Sequence, residues 1–261
     1  MPELSGAAAL PAFSKRARVV DHWFYIGVAL MMILLNILAF APSVIDPSRR
    51  NAPLSLTPLL LMHIVVSGGW LLLFLTQATL VATSRVATHR RVGLVGALLS
   101  GLVVVLGLLV VMEQARRGFD LSGDLGRLPL PSGVDVLSAS VALLYFPVQF
   151  GILVGAALWF RNRPAVHKRL MLFTVLGGLT PTPVAHIIGH WIEPQPWVGF
   201  LFPLSNLFFV SLIAVHDRVT EGRVHPVTLW LGILVVVMER VVTLGVQRTE
   251  AWSSFARWLV Q

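Results

Sequence analysis

The sequence predicts an all-α integral membrane protein, a bundle of seven transmembrane helices, on three observations. Hydrophobic residues make up 56% of the 261-residue chain and charged ones only 12%, with a mean hydropathy of +0.80. A soluble domain carries about 25% charged residues. The apolar residues gather into runs of roughly 20, the length that crosses a hydrocarbon core as a helix. The basic residues fall in short turns between those runs. A formal charge of +8 would otherwise suggest nucleic acid, but this placement assigns it to membrane topology, and no nucleic-acid partner is expected.

Residues 1–19 read as a polar cytoplasmic leader holding Lys15, Arg16 and Arg18. The apolar run after it is too long for a signal-peptide core and ends in no small-residue cleavage site, so it is expected to stay as the first span. The seven spans are expected at 20–42, 57–82, 91–112, 136–160, 168–190, 197–215 and 226–246. The third contains no charge at all between Val92 and Met112, whereas Glu239 and Arg240 interrupt the seventh. With a cytoplasmic N-terminus, 12 of the 20 Lys and Arg residues lie in the leader and three short inner turns. The positive-inside rule therefore predicts an N-in, C-out chain, with a periplasmic C-terminus in a bacterial inner membrane. The seven spans form one domain, 20–246, and the lipid bilayer is its first partner.

The longest connection, 113–135, is rich in Gly, Pro and Asp and reads as an external loop. The tail 247–261 sets Trp252, Phe255 and Leu259 on one helical face, as an interfacial helix would. Gly151 with Gly155, and Ala97 with Gly101, are small-residue pairs suited to close helix packing, within one chain or against a second copy or another membrane protein. An internal repeat links two inner turns. RVATHRR at 85–91 and RPAVHKR at 163–169 share the pattern R-x-x-x-H-[RK]-R at an offset of 78 residues, from His89 to His167.

The chain has no cysteine, which excludes thiolate nucleophiles, zinc–thiolate and iron–sulfur sites and leaves His as the chief metal ligand. His63 lies on the second span, and His186 and His190 lie four residues apart on the fifth, so the latter project from one side. These three are the candidate outer metal site, suited to zinc, copper or iron, with Glu113 and Glu193 as supporting carboxylates. His63 facing either of the other two could alternatively bracket a b-type haem, and the inner repeat pair, His89 and His167, is the candidate cofactor site, for a second haem, a quinone head or an anionic ligand. Asn36, Gln77, Gln149, Thr180, Thr182 and Asn206 mark the interior faces of the spans, where polar groups are least costly. His216, Asp217 and His225 read as solvated loop residues on the last inner turn. No phosphate loop, GxSxG or HExxH is present, and no Lys in the seventh span offers a retinal attachment point.

His63 followed by SGGW at 67–70, HRRVG at 89–93, HKRLM at 167–171 and VHPVTLW at 224–230 together resemble a group of uncharacterised bacterial multi-pass membrane proteins. The resemblance runs from the second span onward. The His-bearing basic turns are also loosely similar to cytochrome b561-like membrane proteins, in which helix-borne histidines hold haem. This chain departs from that pattern, because its histidines do not form two trans-bilayer pairs on four consecutive helices. The resemblance implies a haem- or metal-binding membrane protein in electron transfer or metal-centre handling. A zinc-dependent membrane hydrolase, and a non-catalytic assembly or small-molecule-binding protein, are the alternatives.

Overall fold

The computed structural model describes residues 15–50 and 56–261, apart from 119, 121, 129, 131–132, 194, 196 and 198–199. Helices α1 (Lys15–Ile45), α2 (Pro58–Ala82), α3 (Val86–Arg117) and α4 (Val136–Trp159) are followed by α5 (Pro164–Phe173). A π-helical turn, Thr174–Leu179, joins α5 to α6 (Pro181–Trp191). Then come α7 (Leu201–Glu221), α8 (Pro226–Arg240), a second π-turn (Val241–Gly245) and α9 (Glu250–Leu259). Among the described residues there is no strand.

Local sequence sets the helix ends. Thr57 accepts the Leu60 N–H before Pro58, and His225 accepts the Val227 N–H before Pro226. Asp135 and Thr249 cap α4 and α9 in the same way. Each cap supplies an acceptor for an N–H that the first turn leaves unpaired, and proline at the first position loses no bond there. Gly118 and Gly222, at φ of 80° and 73°, end α3 and α7 in the left-handed conformation that favours glycine.

Six helical segments are long and apolar enough to cross a bilayer: Val19–Ile45, Pro58–Ala82, Val86–Arg117, Val136–Trp159, Pro164–Trp191 and Pro226–Arg248. The chain is thus a multi-pass membrane protein. The span expected at 197–215 appears as α7, which runs on to Glu221, takes in Asp217, Arg218 and Glu221, and is not among those six. Of the expected leader, residues 1–14 lie outside the described residues, and 15–19 already belong to α1.

The α5–α6 segment is the bundle's axis. In its most apolar window 71% of residues are buried, against 22–33% in the other spans. Around Leu172, Phe173, Val175 and Leu176 pack Met32 of α1, Phe150 of α4 and Ile213 of α7. Outward positions such as Leu94, Leu98 and Trp230 stay exposed, as lipid-facing side chains do. Small residues set the closest approaches, and of the glycines in the expected pairs Gly151 takes part. A Cβ on Gly151 would sit 3.1 Å from Val104, whereas Gly155 and Gly101 face open space.

The starts of α1, α3, α5 and α8 gather with the end of α7 at one end, here the near end. The opposite is the far end. At the near end Arg169 is fully buried, with Nη2 2.6 Å from both Asp217 Oδ1 and Glu221 Oε1. Asp217 also accepts from the Thr228 hydroxyl at 2.5 Å and the His225 N–H at 3.1 Å. Lys168 Nζ reaches Asp21 Oδ1 at 2.7 Å, and His216 Nε2 lies 3.2 Å from that oxygen. The expectation of solvated residues at His216 and Asp217 is therefore corrected. The helix continues past them and turns both inward.

Removing one partner of a buried ion pair leaves an uncompensated charge. Arg169→Gln should lower stability by about 3–5 kcal/mol. Lys168→Gln, at the part-exposed rim, should cost about 1 kcal/mol. Denaturant unfolding of the purified chain in detergent measures both, and equal losses would refute the central place given to Arg169.

Candidate functional site

The far end carries the first histidine cluster. The α3–α4 connection, expected as an external loop, folds back onto α6. Asp120 accepts from the backbone N–H groups of Ser122, Gly123 and Leu125 at 3.1–3.2 Å and from the Ser122 hydroxyl at 2.5 Å. That turn sets Ser122 Oγ 3.1 Å from His186 Nδ1. Asp124 is fully buried between the two α6 imidazoles, Oδ1 3.3 Å from His190 Nδ1 and Oδ2 3.7 Å from His186 Nδ1. Gly189 lies between those histidines on α6, and a Cβ there would run into the Asp124 carbonyl. Glycine is thus what lets the loop dock.

His186 and His190 are brought together as their spacing requires, but on a loop carboxylate that sequence reasoning missed. The signal was there in D-x-S-G-D at 120–124, which was read as loop composition only. His63 lies elsewhere, beside Gly107 of α3 and Pro147 of α4, with Nδ1 buried and without a hydrogen-bond partner. Among the described residues no three His, Asp or Glu side chains are grouped so as to hold a metal ion. The expected supporting carboxylates face arginines, Glu113 paired with Arg117 at 2.9 Å and the exposed Glu193 with Arg127 at 3.8 Å.

At the near end the two copies of the repeat meet. His167 Nδ1 is 2.8 Å from the Ala157 carbonyl of α4, and His89 lies near the Gln77 carbonyl of α2. Each imidazole thereby reaches back across its own turn to the preceding helix. The two ring centres are 6.4 Å apart with planes at 80°. His89 Nδ1 is buried without a hydrogen-bond partner. The likeness stops at the histidines, since Arg90 and Arg91 are exposed where Lys168 and Arg169 are tied inward.

Of the polar residues expected inside the bundle, Gln149, Thr180 and Asn206 are buried, while Asn36, Gln77 and Thr182 are half-buried. Gln149 Nε2 donates to the Gly177 carbonyl in the first π-turn at 3.1 Å, and Asn206 Nδ2 donates to Glu239 Oε2 at 2.8 Å. Thr180 bonds the Val175 carbonyl within its own segment at 2.9 Å. Glu239 and Arg240, neighbours on α8, pair at 3.3 Å.

No family model, curated protein or solved structure matches the chain. The functional reading therefore rests on the residues themselves.

Burial pushes the Asp124 carboxyl up, but hydrogen bonds from His186 and Ser122, the His186 charge and the His190 bond outweigh it and hold it below the usual carboxylate range. A carboxyl lowered by folding adds stability above its unfolded value and loses it as pH falls through the folded one. The loop should therefore stay docked at neutral pH and release in acid, below the ordinary carboxylate range of about 4. The chain's lack of cysteine makes this directly measurable. A maleimide should label Leu125→Cys slowly at neutral pH, and faster once Gly189→Ala or Asp124→Asn is added. Unchanged labelling in both variants would show that the loop is not held by this clasp.

Proposed function

We propose that this chain is a seven-span protein of the bacterial inner membrane that holds a b-type haem between His89 and His167 and passes electrons through it. The observation that carries the reading is the imidazole pair itself. Two imidazoles facing each other across one ion, each about 2.0–2.1 Å from it, have ring centres roughly 6 Å apart. The 6.4 Å spacing fits. His167 uses Nδ1 on the Ala157 carbonyl and so has Nε2 left to ligate, while His89 has a partnerless Nδ1. A ligand bonded to a backbone carbonyl through its other nitrogen is the arrangement that fixes the orientation of metal-binding imidazoles. With two protein ligands and no carboxylate, the set suits an iron whose other ligands come from a porphyrin better than it suits a bare ion. When bound, haem supplies a one-electron couple. The chain's own residues hold the ring orientations and, through Arg169 and Lys168, fix the start of α5.

Zinc, copper or iron at His63, His186 and His190 draws support from the two α6 imidazoles on Asp124 alone. His63 packs against α3 and α4 and adds nothing to that group.

The span that completes the seven, expected sixth in chain order at 197–215, is α7. Its 21 residues rise about 31 Å. Asn206 near its start meets Glu239 far along α8, and Asp217 near its end meets the starts of α5 and α8. It thus runs antiparallel to both along the full bundle. Its three charged residues fall in the last turns, where ion pairs satisfy Asp217 and Glu221. Seven crossings put the near end in the cytoplasm, with the exposed Arg85, Arg90, Arg91, Arg161 and Arg163 around it, and the C-terminus in the periplasm.

The test is a reduced-minus-oxidised visible spectrum of the purified protein with iron analysis of the same sample. A sharp reduced α-band and stoichiometric iron are expected, lost in His89→Ala and His167→Ala and kept in His186→Ala. Iron-free protein, or a band that survives both near-end variants, would overturn the assignment.

A further inference from the structure

Away from both histidine pairs, a third polar cluster lies within the spans. Glu239 is only 5% exposed and lies 13 residues beyond Pro226, about 20 Å along α8. Its carboxylate takes the Asn206 hydrogen bond from α7 and faces Arg240 on its own helix and the Tyr145 phenol of α4. One turn earlier, Val235 packs against Gly177, whose carbonyl accepts from Gln149. Gln149 Oε1 is buried and has no partner. A void of about 10 Å³ beside Asn206, Gly177 and Val235 is otherwise walled by apolar side chains such as Phe173, Phe209 and Ile213, so it is a dry gap and not a water site.

Two features distinguish this cluster from ordinary helix adhesion. Both π-turns flank it, Thr174–Leu179 across from Glu239 and Val241–Gly245 just after it. Such turns forgo regular helical bonding and recur at functional sites. Adhesion, moreover, needs only neutral amides, which Gln149 and Asn206 already supply. An ionisable group at this depth is expensive and marks ion or proton pathways by default.

We propose that Glu239 is an intramembrane proton-binding site. The carboxylate takes up one proton to become a neutral carboxyl and gives it back as a carboxylate. Asn206 holds the side chain in place in both forms, because Oε2 can accept its N–H in either. Arg240 balances the ionised form. Its side chain is one-third exposed and keeps its charge when Glu239 is neutral, so each uptake adds one positive charge to the pair. This site does not depend on the haem reading.

Infrared difference spectra of the full-length protein, recorded as pH falls from about 8 to about 5, test it directly. A protonated-carboxyl band should grow in the wild type, shift in Glu239→Asp and be missing in Glu239→Gln, whose amide can still bond Asn206. A lipophilic carbodiimide, which adds a protonated carboxyl across its C=N bond, should label Glu239 several-fold more at the lower pH. Identical carboxyl bands in wild type and Glu239→Gln over that range would mean Glu239 stays ionised beside Arg240, and would overturn the proposal.

Discussion

The structure depends on the burial of one guanidinium. Arg169 sits inside the near end, and a charge there is tolerable only when its donors are all met. Asp217 and Glu221 meet them from α7, and the Ala165 carbonyl takes a further bond at 2.8 Å within α5. Asp217 in turn holds the first turn of α8 through Thr228 and the His225 N–H. Next to it, Lys168 ties α5 to Asp21 of α1, with His216 stacked on Phe24 at 3.9 Å and close to the same carboxylate. Four helices are thereby fixed around two adjacent residues, and the residue before those two is His167. The ion-pair network thus orients the helix that presents the candidate haem ligand, even though it touches no ligand itself.

Lipid explains why polar groups carry so much of this specificity. Between helices in a bilayer there is no hydrophobic drive, so packing and buried hydrogen bonds decide which faces meet. Here each end of the bundle has its own polar lock. The near end uses fixed charges shared among helix termini. The far end uses a loop, with Asp124 between His186 and His190 and Gly189 clearing space for the backbone. The C-terminal α9 adds a weaker tie, Trp252 Nε1 donating to the Ser138 carbonyl at 2.8 Å. Its exposed Trp258 and Phe255 remain outside the bundle, as an interfacial helix requires.

The spans and caps were legible because they are local. Runs of about 20 apolar residues, Pro58 and Pro226 after capping residues, and the i, i+4 spacing of His186 and His190 all act within one or two turns. The meeting of His89 with His167 was legible for another reason, since a repeated turn motif places equivalent residues at equivalent depth. What escaped was long-range pairing. Nothing near Arg169 in sequence says that it turns inward while Arg91, its counterpart, stays out. The answer lies 48 residues away at Asp217. The same holds for Asp124, whose partners are 62 and 66 residues distant. Composition marked that loop as polar and external. The structure shows polar residues used as a lock, with the Asp120 oxygens on backbone N–H groups and Asp124 between the two imidazoles.

The two π-turns fit the same logic. A regular helix through Thr174–Leu179 would keep its carbonyls for its own ladder. The wider turn leaves the Gly177 carbonyl to accept from Gln149, and only glycine lets α4 and α8 come so near. Pro181 and Pro183 reinforce the break, because α6 must restart with residues that offer no N–H to the turn behind them. The second π-turn begins two residues after Glu239. Both departures from ideal helix thus lie beside the buried carboxylate and its amide neighbours rather than at the ends of the bundle. The other spans pass this layer with apolar outer faces, so α4, α7, α8 and the α5–α6 segment are the elements that share its polar contacts.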